Sequence, residues 1–92
     1  MVRLALDRDR AERSQRAETV TLRARFKSLT PREREVMAWV ISGRPNRQIA
    51  SELGTSEITV KVHRGNMMRK MAATSVPNLI RIADALGVKA MP

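Results

Sequence analysis

Cysteine and tyrosine are absent from this 92-residue chain, and tryptophan, phenylalanine and histidine occur once each. Without cysteine there is no disulfide framework and no Cys-based zinc site, and a lone histidine cannot build a multi-histidine metal centre. One His, no Cys, no Tyr and no clustered carboxylates leave no nucleophile–base pair, so neither an enzyme nor any catalytic residue is expected. No glycine-rich, phosphate-cradling loop precedes a helix, so nucleotide binding is not expected; no cofactor and no small-molecule ligand is expected in this segment. Long apolar runs are missing too. Nothing approaches the roughly 18 residues of a membrane span, and the N-terminus lacks the apolar centre of a signal peptide. By elimination the chain is expected in the cytoplasm, away from membranes.

Negative charge is the other scarcity. Nine Asp+Glu stand against eighteen Lys+Arg, a formal net charge of +9, and the pI is near 11.6. Such an excess implies a polyanionic partner, nucleic acid before others. What the chain has in quantity is aliphatic: 42% of residues are hydrophobic, six of them methionine. They recur at helical spacing with almost no β-type alternation, which predicts one small all-α domain with a methionine-rich core.

The most informative stretch runs from Gln48 to Met71, QIASELGTSEITVKVHRGNMMRKM. Ile49, Ala50 and Leu53 give one apolar stripe on a short helix. Gly54 suits the positive φ of a helix C-terminus, and Ser56 stands where the N-cap of a second helix belongs, within reach of the Thr59 N–H. Two helices joined by a short glycine-containing turn form the helix-turn-helix signature, whose second helix lies in the DNA major groove. At 100° per residue, Val60, Met67 and Met71 fall within about 40° of one another, with His63 and Arg64 at the margins. Ile58, Lys61, Val62, Gly65 and Arg69 lie opposite, with Asn66 beside them. Bare aliphatics among cations are unusual on a solvated helix but suit a groove, where cations meet phosphates or guanine edges and aliphatics meet thymine methyls. Double-stranded DNA is therefore the expected partner.

Around this stretch the chain divides into three parts. Residues 1–28 carry both charge signs and good helix formers without Gly or Pro, which predicts a charged linker helix over about Leu6 to Lys27. Asp9/Arg13 and Glu12/Arg16 support it at i,i+4, and Ala17, Val20, Ala24 and Phe26 make a thin apolar stripe, too sparse for a strong coiled coil. Residues 29–88 form the DNA-binding domain. Thr30-Pro31-Arg32-Glu33 is a capping box with proline at the first helical position. Val36, Met37, Val40 and Ile41 face inward, Trp39 sits at the edge of that stripe, and the run Arg32 to Glu35 reads as a solvated face. Pro45 and Asn46 make a turn, and Arg47 follows at a helix N-terminus where an anion is favoured. Ser75 caps a last helix with Pro77 in its first turn. Leu79, Ala83 and Leu86 cover one face of it and Ile80 and Ile82 flank it, a stripe wide enough to meet a second copy. Residues 89–92 are expected to be a flexible tail.

Leu29-Thr30-Pro31-Arg32-Glu33-Arg34-Glu35-Val36, then Gly43, Asn46, Ile49-Ala50, Leu53, Ser56, Thr59-Val60-Lys61-Val62-His63 and Asn66-Met67 closely resemble the LuxR-type helix-turn-helix. Within it, TVKVHRGNMMRKM is similar to the FixJ and NarL group of response regulators. The resemblance implies a four-helix bundle, here preceded by a long N-terminal helix, acting as a DNA-binding transcription regulator. It also implies a homodimer, expected to be weak, that meets through the last helix at Leu79, Ile82, Ala83 and Leu86. Lys61 and Val62 match groove-reading positions, Thr59 and Arg69 match positions near phosphates, and His63 matches a buttress. The DNA-facing set is thus Arg47, Ser56, Ile58, Thr59, Lys61, Val62, Gly65, Asn66 and Arg69, and RNA polymerase is a further candidate partner. Two departures stand out: Gly65 replaces a larger residue common in relatives, and Pro45 replaces a common capping serine. No phosphorylated receiver domain fits into 28 residues, so the chain reads as the effector portion of a two-component regulator or as a stand-alone one. Two alternatives remain at this point: a promoter-recognition module like region 4 of sigma factors, and a helical protein-interaction module that does not touch DNA.

Overall fold

The computed structural model describes the backbone of residues 2–92 and the side chains of Arg13 and of residues 16–92. Among the described residues there are five helices and no strand: α1 Val2–Lys27, α2 Pro31–Ile41, α3 Asn46–Leu53, α4 Glu57–Lys70 and α5 Val76–Leu86. The fold is all-α, as expected. The Asp9/Arg13 and Glu12/Arg16 pairs lie outside the described side chains.

A core without aromatics forms where α2, α3, α4 and α5 meet. Leu29, Val36, Met37 and Val40 come from α2 and its approach, and Ile49 and Ala50 come from α3. Val60, Met67 and Met71 belong to α4 and its end, and Leu79 and Ala83 to α5. Unbranched methionines fill such a space because they adapt to gaps that a stiff ring could not. Trp39 stays at the margin, half-buried, with the Arg44 guanidinium 5.9 Å from its ring centroid.

Helix α1 is not free of this core. Leu22 of α1 is buried at 6% exposure, whereas Val20 is 66% exposed. Ala17 and Ala24 are exposed as well, so the expected stripe is corrected to Leu22 and half-buried Phe26, one turn apart. They turn inward because α1 lies against α5, and Leu22 lines a shallow groove with Ile82 and Ala85. At the joint with α2, the Arg34 guanidinium stacks 4.8 Å from the Phe26 centroid and donates to the Lys27 carbonyl at 3.4 Å. The C-terminal residues also make contact: the Met91 N–H donates to the Ala38 carbonyl at 3.2 Å, and Arg44 donates to the Pro92 carbonyl at 3.5 Å.

Helices α2 to α5 all end in the same way. After each, two amides bond back in the 6→1 and 5→2 pattern of a Schellman motif, as in Thr55 N–H to Ala50 O at 3.0 Å with Gly54 N–H to Ser51 O at 3.4 Å. The motif needs one residue in the left-handed region. Gly43, Gly54 and Gly87 fill it after α2, α3 and α5, but after α4 it is Ala72, at φ 52°. A Cβ at that conformation costs on the order of 1 kcal/mol. Ala72→Gly is therefore expected to stabilise the domain by about 0.5 kcal/mol once the greater freedom of glycine in the unfolded chain is offset. A urea midpoint that moves up with unchanged slope is the expected outcome; a midpoint that falls would contradict it.

Candidate nucleic-acid interface

Helix α3 and helix α4 form the helix-turn-helix, and their connection is tightly specified. Gly54 takes φ 65° and ψ 37°, and Ser56 then caps α4, its Oγ accepting from the Thr59 N–H at 3.1 Å. The Ser56 and Thr59 hydroxyls also share a hydrogen bond at 2.8 Å. At the start of α3, Pro45 occupies the N-cap and offers no side-chain bond. Asn46, in the first turn, spends its carbonyl oxygen instead on Arg64 of α4, whose Nη1 donates at 2.9 Å. That bond ties the first helix of the motif to the middle of the second.

Val60, Met67 and Met71 are fully buried, which turns the opposite face of α4 outward. Ile58 is 75% exposed and Val62 56%; Lys61, Gly65 and Arg69 are exposed beside them, and Thr59 and Asn66 are half-buried. Arg47 of α3 is exposed and His63 is half-buried. Ile58, Lys61, Val62, Gly65 and Arg69 thus come together on one surface of α4. A Cβ built on Gly65 would meet nothing within 4 Å, so nothing in the protein itself requires glycine there.

The residues set out for a dimer contact divide differently. Leu79 and Ala83 are buried at 0% and 1% exposure in the domain's own core, so they are not available to a second copy. Ile82 and Leu86 are half-buried, and Ile82 already faces α1 across the groove. The wide stripe on α5 is largely taken up by the core and by α1.

A second polar clamp anchors the far end of α4. Lys70 Nζ lies 2.7 Å from Glu33 Oε1 and 3.5 Å from the Ser28 carbonyl. The same Glu33 oxygen accepts the Thr30 N–H at 2.9 Å, while Thr30 Oγ1 accepts the Glu33 N–H at 3.1 Å, completing the capping box. Glu33 is only 3% exposed, so the expectation of a solvated charge run fails at this residue. The pattern contained the signal: Glu33, Val36, Met37 and Val40 stand at i, i+3, i+4 and i+7, one face of α2. Burial is the largest single influence on its carboxyl and pushes the pKa up. The hydrogen bonds from Lys70 and Thr30, with the charge of Lys70, together outweigh it and hold the group below its ordinary value.

The sequence profile of bacterial regulatory proteins of the luxR family matches residues 27–83. The chain belongs to that family. Nodulation protein W of Bradyrhizobium diazoefficiens is 45% identical over 86 residues, covering 94% of this chain and 38% of that protein. The transcriptional regulatory protein FixJ of Rhizobium meliloti is 50% identical over 66 residues, covering 72% of this chain and 32% of its own. The crystal structure of full-length FixJ from B. japonicum is similar with a TM-score of 0.71 and 43% identity, over 84% of this chain and 37% of that one. The chain therefore spans less than two-fifths of the length of these relatives. The helix-turn-helix is a LuxR-type DNA-binding domain, homologous to part of these relatives, and its family is one of bacterial regulatory proteins. With that membership the sigma-like alternative falls away. No described helix is long and apolar enough to cross a membrane.

The clamp at Glu33 carries a pH dependence. A carboxyl whose pKa is lower in the folded than in the unfolded chain contributes stability that is complete above its unfolded value, here about 4.5. That contribution disappears as pH falls through the folded value. Glu33→Gln keeps an acceptor for the Thr30 N–H but loses the charge that meets Lys70. It is expected to cost about 1–2 kcal/mol at neutral pH, and the gap from wild type should close as pH falls below about 4.5. Urea titrations across pH measure both; a gap that widens with acid would refute the assignment.

Proposed function

We propose that this chain is the DNA-reading portion of a transcription regulator of the response-regulator type, with α4 seated in the major groove of a two-fold repeated site. The observation that carries this is the two-sided character of α4: one face is spent entirely on the core, and the other offers Lys61 and Val62 to solvent beside Arg69. Lys61 supplies a cation to a guanine edge or phosphate and Val62 an apolar contact to a base. Arg47, Arg69 and the Ser56–Thr59 hydroxyl pair face phosphates, and Asn46–Arg64 holds the two helices at the angle the groove requires. Phosphate neutralisation provides most of the affinity, and the few base contacts provide the choice of site.

Two copies on a two-fold site are the natural arrangement for one such reading helix per half-site. With Leu79 and Ala83 committed to the core, little of α5 is left for self-association. A stable interface takes roughly 800 Å² per partner. The dimer is therefore weak in solution and is completed on DNA. Contact with RNA polymerase belongs to the same proposal, as a property of the larger protein.

Fluorescence anisotropy on duplex DNA across a salt series tests the interface. Wild type is expected to bind with a steep negative salt slope, and Lys61→Ala to lose about 1–3 kcal/mol. Failure of both proteins to bind below about 100 μM at about 50 mM salt, weaker than ordinary non-specific association, would overturn the proposal and favour a helical module that binds protein. Sedimentation velocity without DNA should show chiefly monomer at micromolar concentration; a tight dimer there would contradict the weak contact.

A further inference from the structure

Only four large hydrophobic side chains among the described residues are exposed: Val20, Ile58, Val62 and Ile80. Val20 is on α1 and Ile80 on α5, each by itself, as single surface aliphatics commonly are. Ile58 and Val62 differ in that both belong to α4, one turn apart. At 100° per residue, Ile58, Val62, Gly65 and Arg69 fall within about 60° of one another, while Lys61 and Asn66 stand on the two flanks. The centre of the outward face is thus apolar, and its cations and amide are at the edge and the far end. Ile58 is the more exposed of the pair, at 75%, and it belongs neither to the core nor to the hydrophobics packed against it.

We infer that Ile58 and Val62 form a paired reader of pyrimidine 5-methyl groups, placing thymine at two nearby positions in each half-site. This rests on the major-groove function proposed above and adds to it what the centre of the helix selects. In the major groove, the thymine methyl is the one apolar group that a base pair presents. Covering it with an aliphatic removes apolar surface from water on both partners. Residues four apart are about 6 Å apart along a helix axis, and successive bases on a strand are about 3.4 Å apart. The two side chains therefore match methyls one to two base steps apart. Gly65, one turn further along the same strip with open space around its Cα, lets the helix backbone settle deep enough for the shorter Val62 to reach.

The test isolates the methyl group. A preferred duplex is first selected from a randomised pool with the 92-residue chain. Each thymine is then replaced singly by deoxyuridine, which removes only the 5-methyl, and affinity is measured by anisotropy for wild type, Ile58→Ala and Val62→Ala. Both positions are exposed, so the variants should melt as wild type does. In wild type, one or two thymines per half-site should each lose about three- to fivefold in affinity on demethylation, the worth of one buried methyl. Ile58→Ala should abolish that penalty at one position and Val62→Ala at its neighbour, each leaving the other intact. Tolerance of every deoxyuridine within twofold, or a penalty that persists unchanged in both variants, would overturn the inference while leaving DNA binding in place. If no duplex is selected at all, the major-groove function itself fails and this inference fails with it.

Discussion

Val60, Met67 and Met71 have no contact with solvent, and their burial against α2 and α3 sets the rotation of α4 about its own axis. Everything that the surface of the domain can do follows from that rotation. A turn of one residue, about 100°, would bury Lys61 and expose the methionines. Apolar packing alone defines this orientation loosely, because methionine side chains accommodate several arrangements at similar cost. The polar bonds that tie α4 to α3 and to α2 are what narrow it. Asn46–Arg64 holds the middle of α4 and Lys70–Glu33 its far end, so the helix is held by geometry-demanding bonds and not by shape alone.

Those two clamps also separate the positive charges into two classes. Arg64, Lys70, Arg34 and Arg44 are engaged inside the molecule by an amide, a carboxylate or an aromatic face. Arg47, Lys61 and Arg69 are exposed and form no ion pair with a described side chain. In a chain with a formal net charge of +9, like-charge repulsion opposes compaction. Using part of the excess in internal bonds lessens that cost and leaves the remainder exposed, available to the DNA partner proposed above.

The similarity to relatives does not stop at the DNA-binding domain. The family profile begins at residue 27, yet the match to Nodulation protein W covers 94% of the chain and so includes much of α1. Helix α1 has a structural counterpart to that continuity. Leu22 is buried beside α5, and the Ser28 carbonyl just beyond α1 accepts from Lys70 at the end of α4. The approach to the domain and the end of α4 thus share one bonded neighbourhood.

Sequence alone determined the helices and their order, because capping boxes, glycines and 3.6-residue spacing are local. Thr30 with Glu33, Gly54 and Ser56 mark their helix ends with chemistry that acts within four or five residues. The two faces of α4 were legible for the same reason. Tertiary structure decided which neighbour each face and each charge would meet. Periodicity marks Leu79 and Ala83 as apolar, but whether the core, α1 or a second copy covers them depends on how elements pack in three dimensions. The core took them. Val20 and Leu22 are both apolar candidates on α1, and only the position of α5 selects Leu22. Glu33 stood on the inward face of α2 from the start, yet a buried carboxylate is tolerable only with a partner. That partner, Lys70, lies 37 positions along the chain, a distance over which local pattern carries no information.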